Sequence, residues 1–86
     1  MESTLNIIKE AIGQKLEEMN VMVDEVLYEK EGKYYFLRII LDKVNGIDLD
    51  TIVEATKVIN PILDDLDLIT DSYILDVISK ERGSEE

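Results

Sequence analysis

Apolar residues at Leu5, Ile8, Ile12, Leu16 and Met19 recur at the three-and-four spacing of a single helix face. With Ser3 or Thr4 in place as a cap, they predict a first helix over about Thr4 to Glu18. After Asn20 the period shortens. The segment VMVDEVLYEKEGKYYFLRIILD holds two runs rich in valine, isoleucine and tyrosine around a polar EKEGK. It reads as a hairpin, with strands at about Met22 to Glu29 and Tyr34 to Asp42 and a loop of roughly four residues. In the second strand Tyr35, Leu37, Ile39 and Leu41 share one face, and Tyr34, Phe36, Arg38 and Ile40 the other. Apolar residues on both faces imply a partly covered outer face or a central strand.

From Leu49 the period lengthens again, since Leu49, Ile52, Val53, Thr56, Ile59, Leu63 and Leu66 form one stripe at helical spacing. Pro61 lacks an amide donor and crowds the carbonyl four residues earlier, so the second helix is expected to kink there, or to stop at Ile59 with Asn60 as a cap. In SYILDVIS, Tyr73, Leu75 and Val77 alternate with Ile74, Asp76 and Ile78, a third strand. The order helix, strand, strand, helix, strand predicts an α+β two-layer sandwich with both helices on one face of a three-stranded sheet. Strand three is expected beside strand one. The expected core is Leu5, Ile8, Ile12, Leu16, Ile52, Val53, Ile59 and Leu63. Residues 1–79 form one domain in this reading, and 80–86, KERGSEE, a charged and mobile tail.

The stretch LDKVNGIDLD, Leu41 to Asp50, has the acidity of a calcium loop but not its register. Counting from Asp42 puts Val44 third and Val53 twelfth, where oxygen ligands are required. Asn45 and Gly46 are better suited to supply positive φ in a strand-to-helix turn, with Asp48 as helix cap and Asp50 in the first turn. That explains the acidity structurally. No metal is expected.

Composition narrows the chemistry. At 86 residues the chain has room for one small core. It has no cysteine or histidine, so disulfides, thiolate chemistry, zinc ligation and the usual general base are excluded. Asp42, Asp48 and Asp50 are the only carboxylate cluster available for catalysis, and capping accounts for two of them; neither enzymatic activity nor a cofactor is expected. No apolar run approaches the roughly 20 residues of a membrane span, and MESTLNIIKE lacks the basic start of a signal peptide, so a cytoplasmic location is expected. The net charge is −11. Such a surface repels phosphate and steers towards basic partners, which disfavours direct contact with nucleic acid.

Read together, GKYYFLRIILDKVNGIDLDTIVEATKVI and DSYILDVIS resemble the N-terminal domain of the ribosome maturation factor RimP. That family carries a strand of the form L-R-V-x-I-D, a glycine turn, a helix opening I-T-L-D-D and a last strand Y-x-L-E-V-S-S-P-G. The matching residues here are Leu37, Arg38, Ile39, Leu41 and Asp42, then Gly46, Ile47, Leu49 and Asp50, then Tyr73, Leu75, Asp76 and Val77. The S-S-P-G ending is replaced by ISKERG, and the sequence stops where the family's second domain, a small β-barrel, is expected.

The resemblance implies a non-catalytic factor that associates with the small ribosomal subunit during its biogenesis. Its partner is expected to be a basic ribosomal protein, met by an acidic surface at Glu54, Asp64, Asp65, Asp67 and Asp71; a solvated helix face with no partner is the plainer account of the same residues. The second functional class is an RNA-binding module, in which Lys30, Lys33 and Arg38 touch phosphate and Tyr34, Tyr35 and Phe36 stack on bases. Against it, none of Gly13, Gly32, Gly46 and Gly83 forms the G-x-x-G clamp of a KH domain. Aromatic residues at strand positions also more often pack across strands.

Overall fold

The structure, a computed structural model, describes residues 1–80. Helix α1 runs over Glu2–Leu16, and a single 3-10 turn over Glu17–Met19 carries it to Asn20, whose left-handed backbone (φ 62°) ends it. It starts two residues earlier than the spacing suggested. Met1 occupies the cap position with no side-chain bond, so Ser3 and Thr4 lie inside the helix, and Glu2 supplies the favourable negative charge of the first turn.

Strands β1 (Met22–Glu31) and β2 (Tyr34–Asp42) are antiparallel and joined by Gly32 and Lys33 alone. The expected four-residue loop is thus half that size. Gly32, at φ 63°, takes the first central position of the turn as in a II′ hairpin, which leaves Lys30 and Glu31 paired with Tyr35 and Tyr34. A bulge at Asp24 shifts the register between Val23 and Glu25.

Helix α2 spans Leu49–Leu66 without a break at Pro61, contrary to the expected kink or stop. Pro61 is exposed, so the carbonyl it leaves unpaired is on the solvent side, and the enclosed Ile59 and Leu63 on either side hold the helix to the sheet. Asp48 caps it as expected, its Oδ1 accepting from the Thr51 amide at 2.8 Å and the Thr51 hydroxyl at 2.6 Å. These two donors hold its carboxyl below the usual range. Asn45 (φ 73°) and Gly46 (φ 89°) provide the positive-φ turn before it.

Strand β3 (Ile74–Ser79) lies parallel to β2, giving the sheet order β1-β2-β3. The expectation of strand three beside strand one is therefore wrong. β2 is central, and the apolar residues of its outer face, Phe36 and Ile40, are half-buried there, which fits a partly covered outer face. Ile8, Ile12 and Leu16 of α1 and Ala55, Ile59 and Leu63 of α2 enclose Val26, Leu37, Ile39 and Leu41 on one face of the sheet. Val53 is not among them. At 100° per residue it stands about 200° around α2 from Ala55, and it is 47% exposed, as Leu49 is 76% exposed. The residue that sits on the stripe is the small Ala55, fully enclosed; Leu5 and Ile52 pack at its margin.

The mobile tail expected at 80–86 falls, apart from Lys80, outside the described residues. Among those described, no helix is long and apolar enough to cross a membrane.

Candidate functional site

The five acidic positions lie on or after α2 and all are exposed. Asp64 and Asp65 belong to its last turn, Asp67 closes it with a left-handed backbone (φ 46°), and Asp71 lies on the way to β3. A helix C-terminus already carries partial negative charge, and no basic residue occupies this last turn. Asp64, Asp65 and Asp67 thus set three like charges within four residues at this helix end, against the local preference, and Asp71 follows four residues later. Burial, followed by the fields of Asp64 and Asp67, raises the Tyr73 phenol above its ordinary value. Glu54 is apart from them, roughly 15 Å along the helix axis from Asp64, and it faces Lys57 at 3.7 Å.

The three basic residues do not meet. Lys30 shares the helix-covered side of the sheet with Val26 and Tyr28, its ammonium 5.6 Å from the centre of the Tyr35 ring. Lys33 occupies the hairpin turn, and Arg38 points to the opposite face. The aromatic run is divided in the same way. Tyr35 stacks parallel on Tyr28 at 5.1 Å, Phe36 lies on the open face, and Tyr34 is 59% exposed at the hairpin end. Tyr28 Oη is buried with no hydrogen-bond partner among the described residues, and burial, then Asp71, raises that phenol too. An open groove of about 310 Å³ at this end is lined by Lys33, Tyr34, Tyr35, Ser72, Tyr73 and Ile74.

The open face is laid out in cross-strand rows. Glu29, Phe36 and Ile74 form one, Leu27, Arg38 and Asp76 the next, and Glu25, Ile40 and Ile78 the third. At its centre the Arg38 guanidinium donates to Glu29 at 2.6 Å, to Glu31 at 2.9 Å and to Asp76 at 3.0 Å, and lies 5.0 Å from the centre of the Phe36 ring. Its bonds to three carboxylates, that to Glu31 foremost, raise its already high pKa, and the bond from Arg38 holds the Glu31 carboxyl below its ordinary value. Both shifts favour the charged forms of Arg38 and Glu31. The cluster's three carboxylates outnumber its one cation.

Sequence reasoning placed Arg38 in a basic group and overlooked Glu29, Glu31 and Asp76 as its partners. The available signal was charge complementarity: an arginine at an outward strand position is stabilised by acids opposite it on the strands beside it.

The two stretches that carried the resemblance lie side by side in the sheet. Leu37 is in register with Leu75, Arg38 with Asp76 and Ile39 with Val77, so the motif reflects one parallel strand pair, joined by an ion pair on the open side and apolar contact on the covered side. A family model, that of the RimP N-terminal domain, matches residues 11–80.

Proposed function

The chain belongs to the RimP N-terminal domain family, and from that premise we propose that it serves maturation of the small ribosomal subunit by docking an acidic surface on a basic ribosomal protein. RimP is a ribosome maturation factor, a non-enzymatic kind of protein that acts on the small subunit, and that role implies the cytoplasm. The observation that carries the docking reading is the uncompensated acidic end of α2, Asp64, Asp65 and Asp67 with Asp71 after them, set on a chain of net charge −11. Such a surface attracts cations over a range set by ionic strength, about 8 Å at physiological salt. The RNA-binding alternative has less support, because Arg38 is bonded to three carboxylates and Lys30 and Lys33 stand apart from it.

The test is co-sedimentation of the chain with small-subunit precursors from cells depleted of it. Replacing Asp64, Asp65 and Asp67 together by lysine is expected to abolish co-sedimentation while the thermal melt stays cooperative, and binding by the natural sequence is expected to weaken as salt rises. If instead Lys30→Glu with Lys33→Glu removes binding and the aspartate replacements do not, RNA is the primary contact and the acidic reading is wrong.

A further inference from the structure

The open face of the sheet carries apolar side chains that the fold does not use. Ile74 is 44% exposed and Ile78 38%, and Met22, at the end of the same face, is 50% exposed. They are not scattered singly. Ile74 is the cross-strand neighbour of Phe36 and Ile78 of Ile40, two apolar pairs that flank the Arg38–Asp76 row on its two sides, with Leu27 beside Arg38. Exposed apolar side chains grouped on one face mark interaction surfaces, whereas isolated exposed residues do not.

Charge decides what fits it. Among the paired strand positions of this face Glu25, Glu29, Glu31, Asp42 and Asp76 share it with a single guanidinium, Arg38, for a formal balance of −4. Lys80 reaches Asp24 at 3.2 Å beside it and cancels within that pair. Phosphate-bearing partners, whether nucleic acid or anionic lipid, are repelled by this balance. A second copy of the chain would set −4 against −4 across an apolar contact.

We infer that the open face of the sheet is a second docking surface, one that takes a basic protein segment bearing both apolar and Lys or Arg side chains. Apolar residues of the segment cover Phe36, Ile40, Ile74 and Ile78, while its cations meet the carboxylates left over around Arg38. Depletion of water around those carboxylates strengthens each pair relative to the exposed acidic end of α2. This rests on the proposed small-subunit role and extends it to a surface that the acidic residues of α2 do not include.

The experiment uses the full chain and the same small-subunit precursors. Ile74→Ser combined with Ile78→Ser, and separately Glu25→Lys, are each expected to weaken co-sedimentation by about tenfold or more, as loss of apolar or charged anchors does. Val44→Ser with Val53→Ser, more exposed apolar residues that lie outside the strands, is expected to leave it unchanged. Far-ultraviolet circular dichroism and thermal melts confirm folding, and the single substitution Glu25→Lys decides the matter if the double serine variant does not fold. Natural binding by the folded open-face variants overturns this inference, and it leaves the proposed function standing if the triple aspartate-to-lysine variant still fails to bind. Failure of the natural chain to bind the particles overturns both. Equal affinity for protein-free ribosomal RNA, or a dimer in solution that the open-face substitutions dissolve, assigns the surface to a different partner and also overturns it.

Discussion

On β2, Leu37, Ile39 and Leu41 are wholly enclosed, while Phe36, Arg38 and Ile40, each one position away, lie on a face that no helix covers. The helix-covered set meets Ile8, Ile12 and Leu16 of α1 and Ala55, Ile59 and Leu63 of α2, and fully burying each leucine or isoleucine contributes about 1.5–3 kcal/mol. On the other side the same backbone positions an arginine among three carboxylates and half-exposed isoleucines. Stability is therefore concentrated on one face of the sheet. The other is left to carry charge, so changes there are expected to cost less stability.

The largest expected effect breaks the covered side. Ile39→Ala empties a fully enclosed site at the centre of the sheet and is expected to cost about 2–5 kcal/mol, a large share of a stability of the order of 5–15 kcal/mol. Ile40→Ala, one residue along on the open face, is expected to cost clearly less. Urea denaturation of the two variants measures the difference. Equal losses would mean that the open face is packed as the covered one is, and the contrast would fail.

A smaller effect comes from the centre of the open face. Arg38→Met keeps most of the side-chain volume but leaves Glu29, Glu31 and Asp76 close together without their cation. The melting temperature is expected to fall at neutral pH and low salt, by less than in Ile39→Ala, and to recover as salt screens the three carboxylates. Because the carboxylates are between 38% and 55% exposed, screening reaches them. A loss that added salt does not change would show that Arg38 acts through packing on Phe36 instead.

The contrast was only half legible in the sequence. Alternation along β2 gave the two faces residue by residue, and the Asn45-Gly46 turn and the Asp48 cap followed from backbone and hydrogen-bonding preferences that act locally. The neighbour of β3 did not follow, because period and propensity describe a strand's own faces and say nothing of what lies along its edge. Arg38 facing Asp76 did encode that adjacency, but only across 38 residues of chain. Val53 was expected inside and Ala55 was passed over because a large side chain weighs more in a hydrophobic pattern than a small one. At a close helix-to-sheet contact the small one fits. Pro61 was weighed by its backbone cost alone, whereas the enclosed Ile59 and Leu63 keep the helix continuous through it. The acidic positions all lie exposed, and the distance of Glu54 from the others follows from the length of α2, which the residue types alone do not give.

The smallest expected effect sharpens the contrast through pH. The bond from Arg38 depresses the Glu31 carboxyl in the folded chain relative to the unfolded one, so the charged form is preferred in the fold. Linkage then fixes the sign: the contribution of Glu31 is fully present above its unfolded pKa, and it is lost as pH falls through its depressed folded pKa. Glu31→Gln removes that contribution at every pH. The variant is expected to melt slightly below the natural chain at neutral pH, and the gap should close as the solution is acidified through and below the carboxylate range. Because Glu31 is largely exposed, the gap is expected to be smaller than that of Arg38→Met and to narrow with salt. Comparing variant and natural chain at each pH matters, since acidification also relieves the self-repulsion of a chain with net charge −11, and that larger background acts on both alike. The covered face supplies the control. The gap between Ile39→Ala and the natural chain has no titrating group behind it and is expected to stay constant over the same range, so a gap for Glu31→Gln that is equally flat would show that the ion cluster adds nothing to the fold.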